Sequence, residues 1–425
     1  MEDPRRLLEV AKGLLDDLLA RYGPVSGIGV TGQMHGILYL DEHGRPVSPL
    51  YTWLDARAWR QAAGGRSFHD LMRDVTGCDV PVGFGATIHF ANLQLGLVPP
   101  EARFVCGLPE YVAMQLAGCR TPVTDPTLAH GLGLFDSQRS AFDTEAWTRL
   151  GAPRLQLPEV NRDGRVLGCY QGQVAVCTPL GDNQASFLGS TKDPGHSALV
   201  NLGTGGQISC LEELLGEDRS SSVGRATSEL QYLERRPYPG GRTLYVGATL
   251  TGGKALQVLA QLISEIVQGA GGTCDPYALM AAVPLELAGP VLRVDTRFAG
   301  SRTDPDVRGS IHGIGLRNFT LAHLVHGFCQ GIVDEFHQLW RSSRADVLAR
   351  PRLQYLVGSG NALRTNPVLI EHMRVTFEQP VYVPAYREEA AVGAAIHAAA
   401  LIEQVHPDQL ARQLVTYEDP ARETR

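Results

Sequence analysis

Two α/β domains are what this sequence predicts, and three observations carry the prediction. The chain has 425 residues, and at roughly 100–200 residues per domain that leaves room for two or three cores. Short apolar strands, some of them returning on each other through turns, are interspersed with helical stretches. A loose echo links the halves: in each, a strand ends in a glycine-rich or polar turn and a helix follows. The expected domains are residues 1–189 and 190–425, meeting near residues 185–196.

Leu7, Leu8, Val10, Ala11, Leu14, Leu15, Leu18 and Leu19 recur at helical spacing, which predicts an amphipathic helix over residues 4–21. Residues 25–31 (VSGIGVT) read as a short buried strand, residues 32–36 as the turn beyond it and 37–40 as the next strand. Asp41-Glu42-His43-Gly44 carries turn residues that send that strand back. From Trp53 to about Pro179 helical stretches alternate with loops, and the strand-like residues 174–177 run into PLGDNQAS. In the second half, residues 197–202 read as a strand, 203–206 as a glycine turn, 208–211 as the return strand and 243–246 as another. A long helix is expected over 251–267, with Thr251 as its cap, and further helices over 321–339, 366–377 and 388–402. Residues 353–357 form a strand ending in Gly-Ser-Gly-Asn, and the arginine-rich stretch 340–352 reads as a surface connection.

The formal charge is -7 and the pI about 6.0. Such a balance favours neither nucleic acid nor an anionic membrane, since both call for clustered Lys and Arg. A phosphate site must then rely on backbone N–H groups, helix N-termini or a metal ion. No apolar run approaches the roughly 20 residues that span a bilayer, and the acidic, amphipathic start is unlike a signal peptide. Eight cysteines are scattered without a CxxC pair. This predicts free thiols in a reducing compartment, the cytoplasm, and no zinc site.

Six segments carry candidate chemistry. Gln33, Met34 and His35 follow a strand, where ligands of α/β sheets gather, and Gln33 and His35 can exchange hydrogen bonds with a polyol; taken alone the segment reads first as a polar turn with one buried, satisfied histidine. Trp53 with Asp55 and Arg57 suits a sugar ring with hydroxyls, or an anchored surface ion pair. In Gly181-Asp182-Asn183-Gln184 the carboxylate of Asp182 stands at a helix start beyond a strand. There it can take a proton from a hydroxyl attacking phosphorus, or merely cap the helix. Gly203 and Thr204 lie in a turn whose backbone can approach an anion, or in a plain hairpin. Neither a Walker A lysine nor GxGxxG opening a helix is present. Gly253 opens a helix and Gln257 lies one turn further on the same face. Gly358, Gly360 and Asn361 sit between a strand and a helix, a place able to seat an adenosine.

In order along the chain, GIGVTGQMHG, YTWLDAR, GDNQAS, NLGTGGQIS, GATLTGGKALQ, VGSGNAL and EEAAVGAAIHAA resemble the segments of FGGY carbohydrate kinases. GFGATIHF, GDNQAS and GSGNALRTN bring the likeness nearest to sedoheptulokinases, with xylulokinases close behind. The resemblance implies two actin-like, ribonuclease-H-like domains with a cleft between them. It makes Asp182 the catalytic base and sets Gln33, Met34, His35, Asn183 and Gln184 at the sugar. It puts Gly203, Thr204, Gly253, Gln257, Gly358, Gly360 and Asn361 at the nucleotide. ATP is the implied co-substrate and Mg²⁺ its companion, with metal-holding residues unassigned; a homodimer stays open. The activity implied is phosphorylation of a ketose, sedoheptulose foremost. A pentulose kinase, or a non-catalytic sugar or nucleotide sensor on the same scaffold, is the alternative. Family members start with a strand, a DxGTT-like loop and two more strands, whereas this chain starts at the following helix. The expectation is therefore a mis-called start or a fragment, with a first domain lacking its leading strands.

Overall fold

The structure, a computed structural model, describes residues 1–62, 64–151, 155–215, 233–300, 304, 306–343 and 352–418. The chain divides into two compact units. The first holds Met1–Gly189, Arg236–Arg242 and Glu388–Leu414, and the second holds Ser190–Arg235, Thr243–Arg387 and Val415–Arg425.

The first unit opens with the helix Pro4–Tyr22, whose first turn is closed by the Asp3 carboxylate. Leu8 is buried and Leu15 and Leu19 pack near Tyr170 and Val174, but Val10, Leu14 and Leu18 are exposed, so less of the apolar stripe is covered than its spacing suggests. The strand expected over 25–31 occurs as two pieces, Gly27–Ile28 and Thr31–Gly32. They run parallel to Val174–Cys177 and Leu180–Gly181, and Leu180 N–H donates to Val30 O between them. Glycine is required here because the helix Glu389–Glu403 lies on the strand: a Cβ at Gly29 would fall 2.1 Å from Ala394 O. Between Trp53 and Pro179 the structure also has short strands; one of them, Phe104–Cys106, pairs with Gly36–Leu40. That strand is buried on both faces: Ile37 and Tyr39 join Ile88 and Val105, while Leu38 and Leu40 join Leu50 and Cys106.

Two acids are buried in this unit. Burial pushes the Glu110 carboxyl up to about 7 and the Asp125 carboxyl up to about 7. Both pKa values are raised by folding, so the folded chain keeps protons that the unfolded chain releases from about pH 4 upward. Their neutral forms thus favour the fold at low pH, and that advantage fades as pH rises to about 7. Denaturant midpoints measured at pH 5.5 and pH 8 should fall with pH, and Glu110→Gln should reduce the difference.

The second unit is built on a six-stranded sheet in the spatial order Leu233–Tyr238, Arg242–Thr249, Gly206–Leu211, Ser197–Leu202, Tyr355–Ser359, Val381–Tyr382. The edge strand Leu233–Tyr238 hands its last residues, from Arg236 on, to the first unit. Val200, Ile208 and Leu356 of the sheet pack with Leu256, Val325, Phe336 and Val368 from the helices Gly253–Gly269, Leu321–Ser342 and Pro367–Phe377. Asn366 caps the last helix, its Oδ1 accepting from Val368 and Leu369 N–H, and Pro367 opens it. Thr251 does not cap its helix. Gly252 holds that position with φ 42°, and the Thr251 hydroxyl is buried without a hydrogen-bond partner. The expected connection 340–352 begins as helix, continuing to Ser342; its residues 344–351 lie outside the described residues. No described helix is long and apolar enough to cross a membrane.

Candidate active site

In the first unit, chemistry gathers where two parallel strands end side by side. Thr31 pairs with Leu180 and Gly32 with Gly181, so the residues after them, Gln33-Met34-His35 and Asp182-Asn183-Gln184, leave the same sheet end. The helix Asp182–Ser190 begins at once, and the Asp182 Oδ1 accepts the Asn183 N–H at 2.8 Å. Asp182 is exposed to water while protein crowds it. That partial burial is the main cause raising its pKa above the usual carboxylate value, opposed by the Asn183 N–H and by the Arg236 guanidinium. A carboxylate reachable by solvent, with its basicity enhanced, is suited to accept a proton from an alcohol.

Around it the candidate residues divide into two kinds. Gln33 Nε2 is buried with no partner, a donor available to a ligand oxygen. His35 donates from Nδ1 to Gly131 O at 3.4 Å, and its ring stacks on Phe84 with centroids 4.1 Å apart. Met34 and Gln184, by contrast, face inward. Met34 is 5% exposed, its Cγ 3.0 Å from where a Cβ on Gly181 would stand. Gln184 is fully buried and donates from Nε2 to Pro237 O at 3.0 Å. The Asp55–Arg57 pair is also inward: Arg57 Nε meets Asp55 Oδ1 at 2.7 Å, another of its nitrogens reaches Asn92 Oδ1, and the guanidinium lies 4.3 Å over the Tyr51 ring. Trp53, by contrast, is open, at 54% exposed, with its carbonyl against Gly83.

Two residues here escaped the sequence reading. Phe84 sits in GFGATIHF, but nothing in that spacing says its ring meets His35. Arg236, 7% exposed, comes from the edge strand of the other half of the chain, and only the fold brings it near Asp182.

In the second unit three glycine turns converge. Gly253 N–H donates to Gly203 O at 3.0 Å and Lys254 N–H to Thr204 O at 3.1 Å. A Cβ on Gly253 would stand 2.3 Å from Gly203 O, and one on Gly360 would stand 2.3 Å from Leu202 O, Gly360 having φ 95°. The strands feeding the first and third turns are parallel neighbours, Asn201 opposite Ser359. Gly203 and Thr204 are exposed, as are Gln257, one turn into its helix, and Asn361, which opens the helix Asn361–Thr365. Gly358 is different: it lies inside the strand opposite Val200 and backs the turn. The exposed backbone of the Gly203–Thr204 turn and the Thr204 hydroxyl suit phosphate oxygens. Among the described residues no three His, Cys, Asp or Glu side chains cluster to hold a metal ion.

The family model described as "FGGY family of carbohydrate kinases, N-terminal domain" matches residues 5–193, and the corresponding C-terminal domain matches residues 235–402. The chain belongs to the FGGY family of carbohydrate kinases. It is therefore an ATP-dependent sugar kinase by family. It is 26% identical to the sedoheptulokinase of Homo sapiens over 398 residues, covering 88% of this chain and 80% of that protein. It is 27% identical to the xylulose kinase of Streptomyces rubiginosus, covering 94% of this chain and 79% of that one. A solved structure of a xyloylose kinase from Brucella ovis superposes with a TM-score of 0.77 at 21% identity, over 99% of this chain and 86% of that chain. The FGGY fold, two actin-like domains, is thus the one this chain adopts.

Proposed function

We propose that this FGGY kinase phosphorylates a primary hydroxyl of a ketose, sedoheptulose first among them, with Asp182 as the general base. The observation that carries the reading is the shared strand end from which Asp182, Gln33 and His35 emerge. A sugar held there offers hydroxyls to Gln33 Nε2 and a face to the His35–Phe84 pair, while Asp182 takes the proton of the attacking oxygen. ATP, arriving as its Mg²⁺ complex, is held by Gly203, Thr204, Gly253 and Gly360, with Gln257 and Asn361 toward the nucleoside. Mg²⁺ is part of this substrate, bridging phosphate oxygens and offsetting the charge that develops on transfer. The exposed turn at Gly203 and Thr204 offers its backbone and the threonine hydroxyl to the phosphates.

A pentulose is the second reading, supported by the 27% identity to the Streptomyces rubiginosus xylulose kinase. Purified protein with ATP, Mg²⁺ and a panel of ketoses and polyols decides between them by ADP release. Sedoheptulose is expected to give the highest kcat/KM. A preference for xylulose replaces it with the second reading, and sugar binding by calorimetry without ADP release overturns both in favour of a sensor.

A further inference from the structure

The helix Pro126–Leu132 touches both arms of the first-unit site without reaching solvent there. Its cap, Asp125, accepts Thr127 N–H at 2.8 Å, and both residues are almost fully buried, at 2% and 1% exposed. Thr127 Oγ accepts the backbone N–H of Gly181 at 2.9 Å. A hydroxyl that accepts this amide sends its own proton elsewhere, and the Asp125 carboxyl receives it. The chain of bonds therefore has one direction: Gly181 N–H to Thr127 Oγ–H to Asp125. At its other end the same helix supplies Gly131 O, which takes the His35 Nδ1 proton, and Gly131 itself lies against Met34 O.

Gly181 is closely surrounded on its side-chain side. A Cβ there would stand 2.8 Å from Gln184 Oε1, 3.0 Å from Met34 Cγ and 3.3 Å from Thr127 Oγ. The bond from Thr127 fixes the Leu180–Gly181 peptide, one Cα before Asp182, and so sets where the carboxylate's residue begins. We propose that Thr127, anchored by Asp125, is the positioning residue of Asp182; this rests on reading Asp182 as the base. It touches no substrate and acts through the Gly181 amide alone. Misplacing a reacting group by about an ångström can cost on the order of 100-fold in rate, so the effect falls on kcat rather than on sugar affinity.

The test compares Thr127→Val, which keeps the shape and loses the acceptor, with Thr127→Ser, which keeps the acceptor. Two quantities are read: steady-state kinetics on the preferred ketose, and amide hydrogen exchange across residues 180–183 in the enzyme without substrate. Thr127→Val is expected to lower kcat about 10- to 100-fold with sugar KM changed less than threefold, and to speed exchange at Gly181. Thr127→Ser should restore both to within about threefold of the wild type. A kcat for Thr127→Val within twofold of wild type overturns the proposal, as does a serine variant as slow as the valine one. If the wild type itself phosphorylates no sugar, the reading of Asp182 has failed, and exchange alone decides the rest. Faster exchange confined to residues 180–183 in Thr127→Val then sustains the hold on the turn, and unchanged exchange refutes it.

Discussion

Asp182→Asn is expected to lower kcat by about 10²- to 10⁴-fold, the usual contribution of a positioned general base. The substitution is nearly isosteric, and its Oδ1 can still accept the Asn183 N–H, so the helix start should survive. Sugar and ATP affinities should stay within a few-fold, because the lost interaction belongs to proton transfer and not to ground-state binding. The same change should make the protein more resistant to unfolding. Crowding raises the Asp182 pKa above its unfolded value, so the ionised carboxylate disfavours the folded state as pH rises through that interval. Asparagine removes this burden. Denaturant midpoints of mutant and wild type should coincide near pH 4 and separate toward pH 8, the mutant being the more stable. An Asp182→Asn enzyme with wild-type turnover would show that another group takes the proton.

Much of this site is legible in the sequence because its parts are local. A strand, a glycine or polar turn and a helix start are written in consecutive residues, and the strand over 197–202 and the turn after it occur where the pattern places them. What spacing cannot report is direction. Met34 stands beside Gln33 and His35, and Gln184 beside Asp182, yet both are buried, packed against Gly181. Thr251 illustrates a different limit. Propensity makes threonine a good cap, but the chain needs a positive φ at the helix start to bring it against Gly205, and Gly252 alone tolerates it. Arg236 was out of reach for a third reason. Its neighbourhood to Asp182 depends on a seven-residue segment, Arg236–Arg242, leaving one half of the chain to pack in the other. That segment is fastened by Gln184 to Pro237 O and by the paired bonds of Arg242 to Asp408, both 2.7 Å. Such tertiary returns leave no periodic trace.

The second large effect is expected at Gly253. Its amide is bonded to Gly203 O at 3.0 Å, and the next amide, of Lys254, to Thr204 O at 3.1 Å. Two turns are thus laced together backbone to backbone, and the only side chain compatible with that distance is hydrogen. Alanine would put a methyl carbon 2.3 Å from Gly203 O, roughly an ångström inside ordinary contact, and the obstacle is main chain that no rotamer change can move. The turns must part. Overpacking of this kind costs about 1–3 kcal/mol. If that strain falls on the arrangement that holds the phosphates, ATP binding weakens by about 10- to 100-fold. Sugar binding should be unaffected, since Gln33, His35 and Asp182 belong to the other compact unit. Calorimetric titration of Gly253→Ala with ATP and with the sugar separates the two. An unchanged ATP affinity would remove the Gly203–Gly253 turns from the nucleotide site, whereas weakening of both ligands alike would point to general unfolding rather than to a phosphate platform.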